Sequence, residues 1–127
     1  MISIPLILII CFSHWLADFV FQTDWMARNK SKSNTALAAH ILTYSTVLGI
    51  CLMPFLFSIE LLAFVLVNGV LHFGIDWCSS RITSTLHQQN KMGSTTIPNF
   101  GFYSVIGLDQ FAHMASLFIS FGFIFLC

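Results

Sequence analysis

Residues 59–79, IELLAFVLVNGVLHFGIDWCS, are apolar over a length that can cross a bilayer, yet they contain a histidine and an aspartate. A helix of about 20 residues spans the hydrocarbon core of a membrane. Three further apolar stretches of similar length occur in the chain, so we predict four spanning helices. Their expected bounds are Ile2–Gln22, Thr35–Met53, Ile59–Ser79 and Phe102–Leu126.

The composition excludes an ordinary soluble domain. Of 127 residues, 57% are hydrophobic and 8% are charged, whereas about a quarter of the residues in soluble domains are charged. The net charge of zero leaves no basic surface that could bind nucleic acid. The four cysteines include no C-x-x-C pair, so we interpret them as packing residues. We predict an all-α integral membrane four-helix bundle, one domain over residues 1–127.

The positions of the cations predict the orientation. All lysines and arginines fall in two polar stretches, 23–34 and 80–101, and an even number of spans places both stretches on the same side of the membrane. The positive-inside rule makes that side cytoplasmic. Both termini are then expected on the opposite side. The first helix is expected to be retained, because no basic segment precedes it as in a signal peptide.

Seven ionisable residues lie inside the predicted spans or at their ends. An aspartate in the middle of a spanning helix costs on the order of 2.5–3.5 kcal/mol unless it is partnered. The lysines and arginines lie in the loops, so we expect a bound metal ion, rather than salt bridges, to neutralise the carboxylates. The candidate metal ligands are His14, Asp18, His40, His72, Asp76, Asp109 and His113.

Six of these residues form pairs spaced by four, which places both members on one helix face. The order is His then Asp at 14 and 18 and at 72 and 76, but Asp then His at 109 and 113. The fourth helix runs opposite to the first and third, so the reversal restores a common depth order. We expect a histidine layer with an aspartate layer about 6 Å nearer the cytoplasm.

Mixed imidazole and carboxylate ligands favour Zn²⁺, with Mn²⁺ and iron as alternatives. Seven ligands are enough for one ion or for two. Asp18 and Asp109 are also the candidate proton acceptors, and polar residues near the cytoplasmic side are candidate substrate contacts. These contacts are Gln22, Arg28, Lys30 and Gln110, whereas His87 is interpreted as a solvated loop residue.

The first and third spans echo each other. Both read His, aromatic, two residues, Asp, aromatic, beginning at His14 and at His72. The second and fourth spans each have an alanine before their histidine. This pattern indicates two repeated helical hairpins with a shared site between them.

The motifs resemble those of small bacterial multi-pass membrane proteins catalogued as domain of unknown function 3307 (DUF3307). The likeness lies in HWLADFVFQ at 14–22, His40, HFGID at 72–76 and LDQFAH at 108–113, and it covers nearly the whole chain. The resemblance implies a protein of the bacterial inner membrane. A more distant similarity to inner-membrane metal-dependent hydrolases implies hydrolytic chemistry.

Our leading hypothesis is a metal-dependent hydrolase that acts at the cytoplasmic headgroup layer on an anionic lipid or a lipid-like substrate. One alternative is a transporter of divalent cations or protons, since intramembrane ionisable residues also serve transport. A second alternative is a structural metal in a small interaction protein. Membrane lipids are the expected partners, and a second copy of the chain in a homo-oligomer is an alternative partner.

Overall fold

The computed structural model describes residues 3–127, and this part of the chain is helical with no β-strand. The all-α prediction is therefore confirmed, while the predicted start at Ile2 lies outside the described residues. The helices are α1 (Ile4–Trp15), α2 (Asp24–Asn29), α3 (Asn34–Leu52), α4 (Ile59–Gln88) and α5 (Phe102–Phe121). Helices α1 and α5 each continue into one π-helical turn, Leu16–Val20 and Gly122–Leu126.

Three helical segments are long and apolar enough to cross a membrane: Asn34–Leu52, Ile59–Gln88 and Phe102–Leu126. The apolar helix Ile4–Val20 is shorter and extends about 25 Å at 1.5 Å per residue. Many large apolar side chains on these helices are exposed, among them Leu42 and Val70 at 71% and 75%. These features suggest a membrane protein.

The first helix differs from the continuous helix predicted over Ile2–Gln22. The α-helix ends at Trp15, and the Phe21 N–H donates to the Leu16 carbonyl in an i→i−5 bond of the π turn. A new helix, α2, then begins because the Thr23 hydroxyl caps the Met26 N–H. The polar stretch 23–34 is therefore partly helical. It brings Lys30 close to helix α4.

The third predicted span is also longer than expected. We predicted an end at Ser79, where the hydropathy falls, but α4 continues to Gln88. Asn90 then adopts a left-handed conformation with φ of 54°. The Asn90 N–H bonds to the His87 carbonyl, and the Lys91 N–H bonds to the Leu86 carbonyl, which is the Schellman pattern that ends a helix.

The helices pack in pairs that separate an apolar core from a polar cluster. Helix α3 packs between α1 and α4, and α4 packs against α5. The buried apolar core is Ile10, Ala17, Tyr44, Leu48, Leu52, Leu61, Phe64, Leu117 and Phe121. Four of the buried polar residues of α4 recur at every fourth position, Asn68, His72, Asp76 and Ser80, and Thr83 follows three residues later. One face of α4 therefore contacts the apolar core at one end and carries the polar cluster at the other.

Candidate metal centre

All seven predicted ligands come together where the π turn of α1 meets α3, α4 and α5. Six of them are at most 4% exposed, and Asp109 is half-buried. Three overlapping sets have ligand atoms within 4.8 Å of one another. The sets are Asp18, His40, His72 and Asp76; His14, Asp18 and His113; and Asp76, Asp109 and His113. Each set could hold a metal ion.

Four residues from three helical segments form the tightest set. The Nε2 atom of His40 lies 3.1 Å from Asp18 Oδ1, 3.3 Å from Asp76 Oδ2 and 3.3 Å from His72 Nε2. The Nε2 atom of His72 lies 3.3 Å from Asp18 Oδ1 and 3.6 Å from Asp76 Oδ2. The expected separate layers of histidine and aspartate therefore merge here, because His40 and His72 reach the carboxylates.

The remaining nitrogens of these two histidines face no polar partner. Within residues 3–127, Nδ1 of His40 and Nδ1 of His72 are buried and have no hydrogen bond. The Tyr44 ring instead lies 4.0 Å from the His72 ring, centroid to centroid. Each imidazole thus engages the cluster through Nε2, while apolar and aromatic packing holds the rest of the His72 ring.

His14 has hydrogen-bond partners at both of its nitrogens. Its Nδ1 lies 3.1 Å from the Tyr44 hydroxyl, and its Nε2 lies 3.3 Å from Gln110 Oε1. Asp18 Oδ2 is 3.7 Å from Nε2. The amide of Gln110 also donates to Asp18 Oδ2 at 3.3 Å and to Asp109 Oδ2 at 3.0 Å. Gln110 therefore links α1 to α5 across the cluster.

Asp109 and His113 lie on the α5 side of the cluster. Asp109 Oδ1 accepts a hydrogen bond from the Ser79 hydroxyl, and its Oδ2 lies 3.4 Å from His113 Nδ1. His113 Nε2 lies 3.7 Å from Asp76 Oδ1. The rings of His113 and His72 are stacked with their centroids 4.0 Å apart.

One cation does reach the cluster, contrary to the prediction that loop cations would not. Lys30, the residue that ends α2, places Nζ 2.9 Å from Asp76 Oδ2. The prediction was wrong because it treated the stretch 23–34 as a polar loop apart from the ligands, whereas part of it is helical. The turn of helix α2 instead folds Lys30 back, and its side chain is 19% exposed. Asp18 and Asp109 have no lysine or arginine beside them among the described ion pairs. Their carboxylates pair with imidazoles instead, Asp18 with His14, His40 and His72 and Asp109 with His113.

A cavity of about 730 Å³ opens beside the cluster. All three aspartates line it, together with cations, amides and hydroxyls from α2, α4 and α5. The lining includes the four predicted substrate contacts, Gln22, Arg28, Lys30 and Gln110. His87 also lines this cavity from the last turn of α4 and is exposed, so it is solvated as predicted but lies in a helix and not in a loop. Helix α4 continues past the predicted end and carries His87 with it.

Two members of the site were missed by sequence reasoning. Tyr44 is buried at 1% exposure and follows His40 by four residues, so it shares the His40 face of α3. Ser79 follows Asp76 by three residues and faces Asp109. The helical spacing was the available signal in both cases, but neither residue ionises near neutral pH.

Comparisons with known proteins agree with the resemblance noted from the motifs. A family profile described as "Protein of unknown function (DUF3307)" matches residues 6–126. Searches of curated proteins and of solved structures gave no match. The profile includes every residue of the cluster. The chain therefore belongs to the DUF3307 family of proteins of unknown function.

Proposed function

We propose that this protein is a metal-dependent hydrolase of the bacterial inner membrane that acts on an anionic lipid or lipid-like substrate at the cytoplasmic headgroup layer. The observation that carries the proposal is the four-residue set of Asp18, His40, His72 and Asp76 beside a polar cavity. All four side chains are buried, and two of them, Asp18 and Asp76, line the cavity.

The spacing of the four ligand atoms fits a tetrahedral ion. Ligand atoms 2.0–2.1 Å from a Zn²⁺ ion at the centre of a tetrahedron lie about 3.3–3.4 Å from each other. Five of the six distances in the set are between 3.1 and 3.6 Å. Since His40 Nε2 has three such neighbours, one N–H cannot serve them all. A shared cation accounts for the convergence of all four atoms. Zn²⁺ is the preferred ion, with Mn²⁺ and iron as alternatives.

The membrane placement follows from the helices and the cations. The segment Ile4–Val20 is near the lower limit for a span, and with it the protein is a four-helix membrane bundle. The cavity end carries Arg28, Lys30 and Lys32, and the positive-inside rule places this end in the cytoplasm. Both termini then lie on the opposite side. The cavity opens at the level where lipid headgroups meet water.

The lining of the cavity fits an anionic substrate. The cations of α2 attract a phosphate or carboxylate, and the amides of Gln22 and Gln110 can orient it. When bound, a divalent cation lowers the pKa of a water ligand from 15.7 toward about 7 and polarises a phosphoryl or acyl oxygen. Asp109 lines the cavity outside the four-residue set, so it is the better placed proton acceptor when one ion occupies that set. Asp18 is the alternative acceptor.

Transport is less well supported by the packing on the far side of the cluster. A carrier needs a polar path across the membrane. Beyond His72 the interior is filled by Leu48, Phe64, Leu117 and Phe121. Asn68 and Ser120 form a buried hydrogen bond among these side chains, and no chain of polar residues continues from it within residues 3–127. The hydrolase hypothesis requires no path beyond the cluster.

The proposal is tested with the full chain in nanodiscs that contain anionic phospholipid. Purified protein loaded with Zn²⁺ is incubated with phosphatidic acid, and released inorganic phosphate is measured. We expect release that falls at least a hundredfold in Asp109→Asn and persists in Tyr103→Phe, because Tyr103 is exposed and does not line the cavity. Free fatty acid is measured in the same samples, because its release would show that the protein hydrolyses acyl esters instead of the phosphate ester. Metal-loaded protein that releases neither product contradicts the hydrolase and favours a structural metal.

A further inference from the structure

His113 is a buried histidine whose ring nitrogens lack partners. Its side chain is 1% exposed, and within residues 3–127 neither Nδ1 nor Nε2 has a hydrogen bond. A buried polar atom without a partner costs about 1–3 kcal/mol. The stacked His72 ring, 4.0 Å away, limits the freedom of the His113 ring to turn toward another group. Among the described residues the ring nitrogens therefore have no hydrogen-bond partner, and a bound cation would supply a partner.

Two carboxylates flank this ring without satisfying it. Asp76 Oδ1 lies 3.7 Å from Nε2, and Asp109 Oδ2 lies 3.4 Å from Nδ1. Neither contact has hydrogen-bond geometry. Histidine and carboxylate groups that approach in this way, with ligand atoms within 4.8 Å of one another, leave room for an ion among them.

Asp76 connects this group to the four-residue set through its two oxygens. Oδ2 faces the Nε2 atoms of His40 and His72, at 3.3 and 3.6 Å. Oδ1 faces His113. A carboxylate in this position can bridge two ions. In two-metal sites the ions lie about 3.5–4 Å apart and together clamp the oxygens of the reacting group.

We propose that the cluster holds two cations bridged by Asp76, the second one ligated by Asp76, Asp109 and His113. This inference rests on the proposed metal site and assigns the two positions different roles. Asp18, His40, His72 and Asp76 offer four protein ligands, so an ion there can take a water only as a fifth ligand. The second position has three protein ligands, the number found in catalytic sites with an open coordination position. Asp76 and Asp109 both line the cavity, so this open position faces the substrate.

The test uses the full chain in detergent, stripped with a chelator and reloaded with Mn²⁺. Bound Mn²⁺ per chain is measured by elemental analysis, and the coupling between ions is measured by electron paramagnetic resonance. We expect two equivalents and an exchange-coupled signal in the wild type. His113→Ala and Asp109→Asn are each expected to retain one equivalent with an uncoupled signal. His87→Ala, on the same cavity wall, is the control and keeps two coupled ions.

The outcomes separate this inference from the proposed function. One equivalent in the wild type, retained in His113→Ala, overturns the second position and leaves a single-ion hydrolase in place. Two equivalents without coupling overturn the bridge. No bound Mn²⁺ or Zn²⁺ in the wild type overturns both proposals. If His113→Ala aggregates on size exclusion, His113→Gln replaces it, and the wild-type stoichiometry and coupling decide the matter on their own.

Discussion

A single carboxylate oxygen, Asp76 Oδ2, shows how crowded the cluster is. It lies 2.9 Å from the Lys30 ammonium, 3.3 Å from His40 Nε2 and 3.6 Å from His72 Nε2. Three nitrogens therefore surround this one oxygen. A cation bound to Asp76 Oδ2 would have to share the oxygen with the Lys30 ammonium. Like charges about 5 Å apart repel by roughly 3 kcal/mol at an effective dielectric of 20. Lys30 thus competes with the proposed ion for Asp76.

Removal of this competitor makes the first prediction. Lys30→Met should tighten Zn²⁺ binding by about tenfold or more, measured by competition with a chromogenic chelator. Lys32→Met is the matched control, because Lys32 lines the same cavity and the described ion pairs do not include it. Weaker or unchanged Zn²⁺ binding in Lys30→Met would contradict this account of the ion pair.

A second residue-scale prediction concerns Tyr44. Its hydroxyl lies 3.1 Å from the buried Nδ1 of His14, so Tyr44→Phe leaves that nitrogen unpaired. The loss should destabilise the protein by about 1–3 kcal/mol, seen as a lower thermal unfolding midpoint in detergent. Tyr103→Phe serves as the control because Tyr103 is 68% exposed. Equal midpoints for the two variants would show that the Tyr44 contact contributes nothing.

The convergence of the ligands could be predicted residue by residue, whereas the Lys30 contact could not. Spacing by four places His72 and Asp76 on one face of any helix, and a charged face in lipid must point inward. The Lys30 contact depends on where a short helix ends and on how the chain returns to the membrane surface. No periodicity of the sequence around residue 30 reports that geometry.

At the scale of elements, helix bounds were predictable where apolar runs end at capping residues. Helix α3 runs from Asn34 to Leu52, against a prediction of Thr35 to Met53. The extension of α4 beyond Ser79 was not predictable from hydropathy. A helix can continue through polar residues as long as its backbone hydrogen bonds form and no proline interrupts it. The π turn around Asp18 was missed for a similar reason, since one turn is too short to alter a periodicity. The predicted hairpin repeat stays a prediction.

The close approach of α3 and α4 gives the element-scale prediction. A Cβ added at Gly69 would lie 2.8 Å from the Ser45 hydroxyl oxygen, whereas one at Gly74 would meet no atom within 4 Å. Small residues allow close helix packing in membranes. Gly69→Leu should therefore separate α3 from α4 and move His40 away from His72. We expect a several-fold loss of bound Zn²⁺ and a lower unfolding midpoint.

Gly74→Leu, on the same helix, is the matched control for this change. It should retain wild-type Zn²⁺ and an unchanged or higher midpoint, because leucine favours the helix over glycine by up to about 1 kcal/mol. Both variants are compared by elemental analysis and thermal unfolding in the same detergent. A Gly69→Leu protein with full Zn²⁺ would show that the α3 and α4 contact does not position the cluster.

At the scale of the whole molecule, the proposed placement predicts which segments face the cytoplasm. With the four cysteines replaced by serine, Ser94→Cys should react with a membrane-impermeant maleimide only after cells are permeabilised. Ser58→Cys, in the connection between α3 and α4, should react in spheroplasts without permeabilisation. The expected pattern follows from the positive-inside rule. The reverse pattern would place the cavity on the outer side and remove the cytoplasmic substrate from the proposal.

The central claim is that imidazoles and carboxylates from α1, α3, α4 and α5 share a bound cation. The most direct measurement is the transition-metal content of protein purified from membranes without added metal, comparing wild type with His72→Ala and His87→Ala. We expect at least one equivalent in wild type and in His87→Ala, and at least a tenfold loss in His72→Ala. Negligible metal in all three folded proteins, or equal metal in wild type and His72→Ala, would contradict the claim.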